Sequence, residues 1–186
     1  MSAGRYLIMA GGTGGHIFPA LAVAKELMQR GATVSWLGTA QGMEANIVTA
    51  EKIDFHTMTI KGFRGKSIIA KLLAPFLLCR AVIQAMKIIR QYQPSVVIGF
   101  GGFVAAPGGI AARILRKPLV IHEQNSIAGS SNRLLAKIAT KKLVAFPHAL
   151  NDSVHVGNPV RATVSCVQHD FISHQHAGLR VLIMGG

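Results

Sequence analysis

The stretch YLIMAGGTGGH, residues 6–16, constrains the fold more than any other part of the chain. A short apolar run ends in a cluster of glycines. Residues 17–29 then put Ala, Leu and Val on one face and Lys25, Glu26 and Gln29 on the other, and Gly31 supplies a stop. Strand, glycine turn and helix form the opening of a βαβ unit. The strand-like half of this pattern recurs. Residues 33–37 end at Gly38, 96–98 at Gly99, 119–121 at His122, 143–145 at Phe146 and 181–184 at Gly185. Continuous apolar strands separated by helical segments predict a parallel sheet covered on both faces, a doubly wound, Rossmann-like α/β fold. Such folds bind ligands beyond the carboxyl ends of the strands. The glycines and polar clusters fall at those ends.

The length of 186 residues suits one domain, or one domain and part of another. A hydrophobic content of 50% with only 15% charged residues excludes intrinsic disorder. Twenty Lys and Arg against seven Asp and Glu leave a net charge of +13, which calls for nucleic acid, a phosphorylated substrate or anionic lipid as partner. The bias is local: between Asp54 and Glu123 there are ten basic residues and no acidic one. Cys79 and Cys166 form neither a disulfide framework nor a metal-binding pair. The apolar run before Gly11 is too short for a signal-peptide core. The long uncharged stretch 91–112 contains Pro94, Pro107 and five glycines, which no single membrane-spanning helix accommodates. The expectation is a cytosolic chain that lies against a membrane.

Four loops are candidates for chemistry. At residues 11–22, GGTGGHIFPALA, the backbone N–H groups and the helix dipole suit an anion or a polar sugar; the alternative is a tight turn with no ligand. The glycine spacing is not that of the dinucleotide-binding fingerprint. His16 stands at the helix entry, where the dipole disfavours imidazolium, and reads either as a general base or as a cap. GFGGFVAAPGG, residues 99–109, is a second glycine loop, for a ligand cleft or for close helix packing. HEQNSIAGSSN, residues 122–132, puts Glu123 at a strand end as base, hydrogen-bond acceptor or helix cap, with Asn125 suited to sugar hydroxyls. In VGNPVR, Arg161 suits a diphosphate clamp or an interdomain salt bridge. His169, Asp170, His174 and His176 have no supporting second cluster and read as structural or surface groups, so no metal site is expected. The polar tail ends in VLIMGG, an echo of the N-terminal strand and its glycines. The expected organisation is a Rossmann-like domain over 1–157 and, over 158–186, a linker and the first strand of a second domain.

Taken in order, GGTGGHIFPALA, WLGT, KGFRGK, GFGGF, HEQN, AKIAT, AFP and VGNPVR closely resemble the MurG family, the UDP-N-acetylglucosamine:lipid I N-acetylglucosaminyltransferases of bacterial peptidoglycan synthesis. The resemblance covers residues 5–161. It implies a GT-B enzyme of two Rossmann-like domains, the N-terminal one holding the lipid-linked acceptor and the C-terminal one most of UDP-GlcNAc. The implied reaction is inverting transfer of GlcNAc to the MurNAc 4-hydroxyl of lipid I, forming lipid II without metal or cofactor. By resemblance Thr13, Gly14, Gly15, Asn125 and Arg161 belong to the donor site. Gly101, Gly102, Phe103 and His122 face the acceptor, and His16 is the base with Glu123 as rival. Phe103 departs from the family's usual tyrosine. The chain also stops where the family continues into the uridine pocket, so alone it is expected to be inactive. The implied place is peripheral, on the cytoplasmic face of the inner membrane, near cell-wall and division proteins and away from nucleic acid. The basic, apolar segment 61–90 is the expected membrane patch, with Lys66, Lys71 and Arg80 around Ile68, Ile69, Leu72, Leu73 and Phe76. The rival readings are a GT-B transferase with another acceptor and a non-catalytic membrane-docking piece.

Overall fold

The computed structural model describes residues 4–60 and 74–161. The expectations for KGFRGK, for Lys66, Ile68, Ile69, Lys71, Leu72 and Leu73, for the histidine-bearing tail and for the closing strand lie outside the described residues.

Among the described residues seven strands and five helices follow in the order β1 (Arg5–Ala10), α1 (Gly14–Gln29), β2 (Thr33–Gly38), α2 (Met43–Ala50), β3 (Asp54–Thr57), α3 (Ala74–Tyr92), β4 (Val96–Gly101), α4 (Ala105–Ile114), β5 (Leu119–Glu123), α5 (Ser130–Leu135), β6 (Lys141–Val144) and β7 (Val154–His155). The strands form one sheet in the order β3-β2-β1-β4-β5-β6-β7. Every pairing is parallel. The chain winds outward from β1 to β3, crosses back, and winds the other way from β4. The reversal between β1 and β4 is the switch point at which open α/β sheets bind ligands. Both glycine loops leave the sheet there.

Alternation along β1 divides the core. Ile8 and Ala10 point to the face covered by α1 and α2, packing with Ile17, Leu21, Trp36, Val48 and Phe100. Leu7 and Met9 point to the other face, against Ala81, Ala85 and Ile89 of α3, Ala111 and Ala112 of α4, and Leu135 of α5. Each such buried Leu, Ile, Met or Phe contributes about 1.5–3 kcal/mol. The buried indole of Trp36 donates from Nε1 to the Ala10 carbonyl at 3.0 Å, fixing the end of β1 just before its glycines.

Within the described residues the predicted strands are present, and the differences are local. Helix α1 begins at Gly14, three residues before the apolar periodicity, because the Thr13 carbonyl already accepts from the N–H groups of His16 (3.1 Å) and Ile17 (3.2 Å). Strand β5 runs on through His122 and Glu123, because both pair with β6. Helix α2 and strands β3 and β7 are additional. They are short, and β3 and β7 lie at the edges of the sheet, so little apolar patterning marks them. Helix α3 buries Ala81, Val82, Ala85, Ile89 and Tyr92. Arg80, Gln84, Lys87 and Gln91 recur at helical spacing along α3; Arg80, Lys87 and Gln91 are exposed, whereas Gln84 is half-buried and its Oε1 accepts from the Thr59 N–H at 2.9 Å.

Candidate active site

The two glycine loops touch. Gly102, at φ +78°, lies so close to loop 1 that a Cβ there would overlap the Gly11 carbonyl oxygen. Phe103 packs against Gly12. Gly101, at φ +103°, faces the ring of His16: a Cβ on it would stand 2.9 Å from Cε1 and 3.0 Å from Nδ1. Glycine is therefore required at 101 both by backbone sign and by the imidazole beside it.

His16 is half-buried in the first turn of α1, and its Nδ1 lies 3.0 Å from Gln124 Oε1. Its Nε2 has no hydrogen-bond partner among the described residues. Thr13 caps the helix through its backbone, and no acidic residue occupies the first turn. The N–H groups of Gly14 and Gly15 thus point outward at the positive end of a 16-residue helix. Arg161 reaches the same corner, its guanidinium 4.5 Å from the centroid of the Phe18 ring. Of the predicted donor residues, Thr13, Gly14 and Gly15 thus form the start of α1, and Arg161 lies over Phe18, whose ring also borders Gly14.

The loop after β5 supplies the other wall. Glu123 is fully buried. Its Oε1 accepts from the Asn125 N–H (3.0 Å) and Asn125 Nδ2 (2.8 Å), and its Oε2 from the Gly129 N–H (3.0 Å) and Asn132 Nδ2 (2.9 Å). Burial alone would raise its pKa, but the Asn125, Asn132 and Gly129 donors outweigh burial and hold the carboxyl below its ordinary value. Of the three roles open to Glu123, the geometry fits the acceptor: it pins the loop and the start of α5. Asn125 is exposed, with Nδ2 committed to Glu123. His122 was expected to face the acceptor. Its ring is 2% exposed and lies against Phe100, with Nδ1 receiving Gln124 Nε2 (3.1 Å) and Nε2 bonded to the Gly157 carbonyl (3.0 Å). It stands behind Gln124, with both ring nitrogens occupied. Burial pushes its pKa down against the opposing pulls of the Gly157 carbonyl and Glu123, which favours the neutral ring.

Three residues here were not singled out by sequence reasoning. Gln124 carries no signal of its own beyond its place in HEQN. Asn132 donates to the His122 carbonyl and to Glu123, while its buried Oδ1 has no partner among the described residues. Glu44 is fully buried near loop 1, accepting from the Thr39 N–H (3.0 Å), Thr39 Oγ1 (2.9 Å) and, at 3.4 Å, the Gly12 N–H. Its one sequence signal is an acid in the first turn of a helix, which also describes many surface residues. Among the described residues no group of three or more His, Cys, Asp or Glu could hold a metal ion.

A doubly wound sheet with two glycine loops at its switch point is here the N-terminal domain of a GT-B glycosyltransferase. The family model "Glycosyltransferase family 28 N-terminal domain" matches residues 6–144, and the chain belongs to that family. A relative from Yersinia pestis bv. Antiqua (strain Angola) is 51% identical over 184 residues, 98% of this chain and 52% of its own. One from Shewanella denitrificans is 49% identical over 188 residues, 99% of this chain and 51% of its own. Both are named UDP-N-acetylglucosamine--N-acetylmuramyl-(pentapeptide) pyrophosphoryl-undecaprenol N-acetylglucosamine transferase. The crystal structure of Acinetobacter baumannii MurG superposes with a TM-score of 0.75 at 44% identity, covering 84% of this chain and 46% of that one. The chain spans about half the length of the curated relatives it matches.

Proposed function

We propose that this chain is the acceptor-side half of an inverting transferase that moves GlcNAc from UDP-GlcNAc to the MurNAc 4-hydroxyl of lipid I, giving lipid II. The names of its relatives support the substrates. The observation that carries the chemistry is His16, half-buried between the two glycine loops, with Nδ1 held by Gln124 and Nε2 unpaired among the described residues. Nε2 accepts the hydroxyl proton as the acceptor oxygen bonds to C1 of GlcNAc. The C1–O bond to UDP breaks, and its electron pair leaves on the diphosphate. The outward N–H groups of Gly14 and Gly15 and the Arg161 guanidinium favour that departing charge. Glu123 is assigned no proton, because four donors already occupy its two oxygens. Phe103 packs on Gly12 and supplies an apolar wall without a hydroxyl.

The acceptor is lipid-linked, so the enzyme works at the cytoplasmic face of the inner membrane, as a peripheral protein beside the cell-wall and division machinery. In support, Phe76 (73% exposed) and Ile83 (66% exposed) alternate with exposed Arg80 and Lys87 along one side of α3. Apolar and basic groups on one helix face suit an anionic bilayer surface. Among the described residues no helix is long and apolar enough to cross a membrane. The test is glycosyl transfer to a lipid I analogue by this chain joined to a family donor domain. His16→Ala should lower kcat by about 10²–10⁴-fold with donor KM little changed. A loss under about tenfold reduces His16 to a binding role.

A further inference from the structure

His16, Gln124, His122 and the Gly157 carbonyl form a single hydrogen-bonded line, and the direction of every bond in it is set by groups that can only accept. The Gly157 carbonyl oxygen accepts a hydrogen bond from His122 Nε2–H at 3.0 Å. In the neutral ring this leaves His122 Nδ1 as an acceptor, and Gln124 Nε2 donates to it at 3.1 Å. Gln124 Nε2 also donates to the backbone carbonyl of His122 at 3.0 Å, so a second, independent acceptor fixes the same amide orientation. Flipping the amide would set Gln124 Oε1 against a carbonyl oxygen and a ring lone pair at once. Oε1 therefore faces His16, and His16 Nδ1 must be the donor at 3.0 Å. Gln124 and His122 are 6% and 2% exposed, which keeps water from substituting for either partner.

We propose that Gln124 is a positioning residue for the transfer reaction, holding neutral His16 as the Nδ1–H tautomer so that Nε2 keeps its lone pair for the acceptor hydroxyl. The proposal rests on the reading of His16 as base. In water a neutral histidine prefers the Nε2–H tautomer, which has no lone pair on the nitrogen that faces the ligand. Gln124 reverses that preference, and His122 and Gly157 keep Gln124 from turning. Gly101 completes the alignment by letting the His16 ring lie flush against the second loop. The depressed pKa of His122 agrees with this scheme, since a protonated Nδ1 would oppose the Gln124 amide.

The decisive measurement is the ring-nitrogen spectrum of His16 in this chain, labelled with ¹⁵N-histidine, at neutral pH. The expected pattern is a protonated Nδ1 and a bare Nε2. Gln124→Met, similar in volume and unable to accept, should move His16 towards Nε2–H. Joined to a donor domain, the same variant should lose about 10²-fold in kcat with donor KM nearly unchanged, a split that loosened packing alone does not produce. If Gln124→Met folds poorly, the wild-type spectrum still decides. An Nε2–H pattern in the wild type, or an unaltered pattern in folded Gln124→Met, overturns the role of Gln124 and leaves the base reading standing. The expected wild-type pattern combined with near-full turnover in His16→Ala overturns the base reading, and the catalytic meaning of the tautomer with it.

Discussion

Glu123→Gln separates two uses of one carboxylate. The wild-type oxygens receive four donors, two on Oε1 and two on Oε2, in a site with no solvent exposure. Glutamine keeps one oxygen. Whichever way its amide turns, two of the four donors then confront an NH2 group. A buried donor left unpaired costs about 1–3 kcal/mol, so the gross penalty is roughly 2–6 kcal/mol. Some of it is recoverable, because the Asn125 side chain is exposed and can rotate away. Asn132 is less free, since its Nδ2 also serves the His122 carbonyl. The net expectation is a loss of about 2–4 kcal/mol, a fall in Tm of roughly 4–16 °C for a domain of this size. Urea unfolding and a thermal melt of this chain measure it directly. Turnover in a two-domain version, assayed where the variant is still folded, should fall less than it does in His16→Ala. Wild-type stability together with abolished turnover would refute the reasoning and make Glu123 the base.

The sheet was legible because each central strand is a short apolar run that ends in glycine or a polar cluster, a pattern that burial on both faces demands. Strand β3, DFHT, gives no such signal, because an edge strand with a half-exposed face need not be apolar. The glycine loops were legible as special turns for a backbone reason: Gly101 and Gly102 occupy positive φ and close approaches that other residues resist. The roles inside HEQN were not. His122 and Glu123 read as polar groups at a strand end, and from the sequence both were free to face a ligand. Their burial depends on β5 pairing with β6 through residue 123 and on Asn132 and Gly157 arriving from elsewhere in the chain. Neither meeting has a local sequence signature. Gln124 was hidden for the same reason, since its importance lies in the direction of its amide, which only its neighbours in space determine.

Gly101→Ala should cost about 1–3 kcal/mol from backbone strain and push the His16 ring off Gln124, so turnover should fall further than the urea midpoint implies; a wild-type midpoint and rate would refute the contact. This chain alone should give no product from UDP-GlcNAc and a lipid I analogue, and joined to a donor domain it should; equal rates would contradict the two-domain reading. Sedimentation with liposomes should require anionic lipid and weaken with salt. Arg80→Gln should cost about 1 kcal/mol of that binding, roughly fivefold, and equal binding to neutral vesicles would sink the electrostatic part. Acid should destabilise the fold in two stages, through groups whose folded pKa values are both lowered. His122 is held neutral by burial, so below its ordinary value near 6.5 the unfolded chain takes up a proton that the folded chain refuses. Stability is therefore full above that pH, declines as pH falls through the window beneath it, and levels off once the folded ring protonates as well. Glu123 is held ionised by its donors, so its contribution is present above its ordinary value near 4.5 and is lost as pH falls through the lower folded pKa. Urea midpoints measured from pH 8 to pH 3 should show His122→Gln losing the upper stage and Glu123→Gln the lower one. A midpoint that rises on acidification from pH 7 to 5, or a His122→Gln profile parallel to the wild type, would mean that the buried imidazole is not held neutral, and the hydrogen-bonded line from Gly157 to His16 would lose one of the two acceptors that orient it, leaving only the His122 carbonyl.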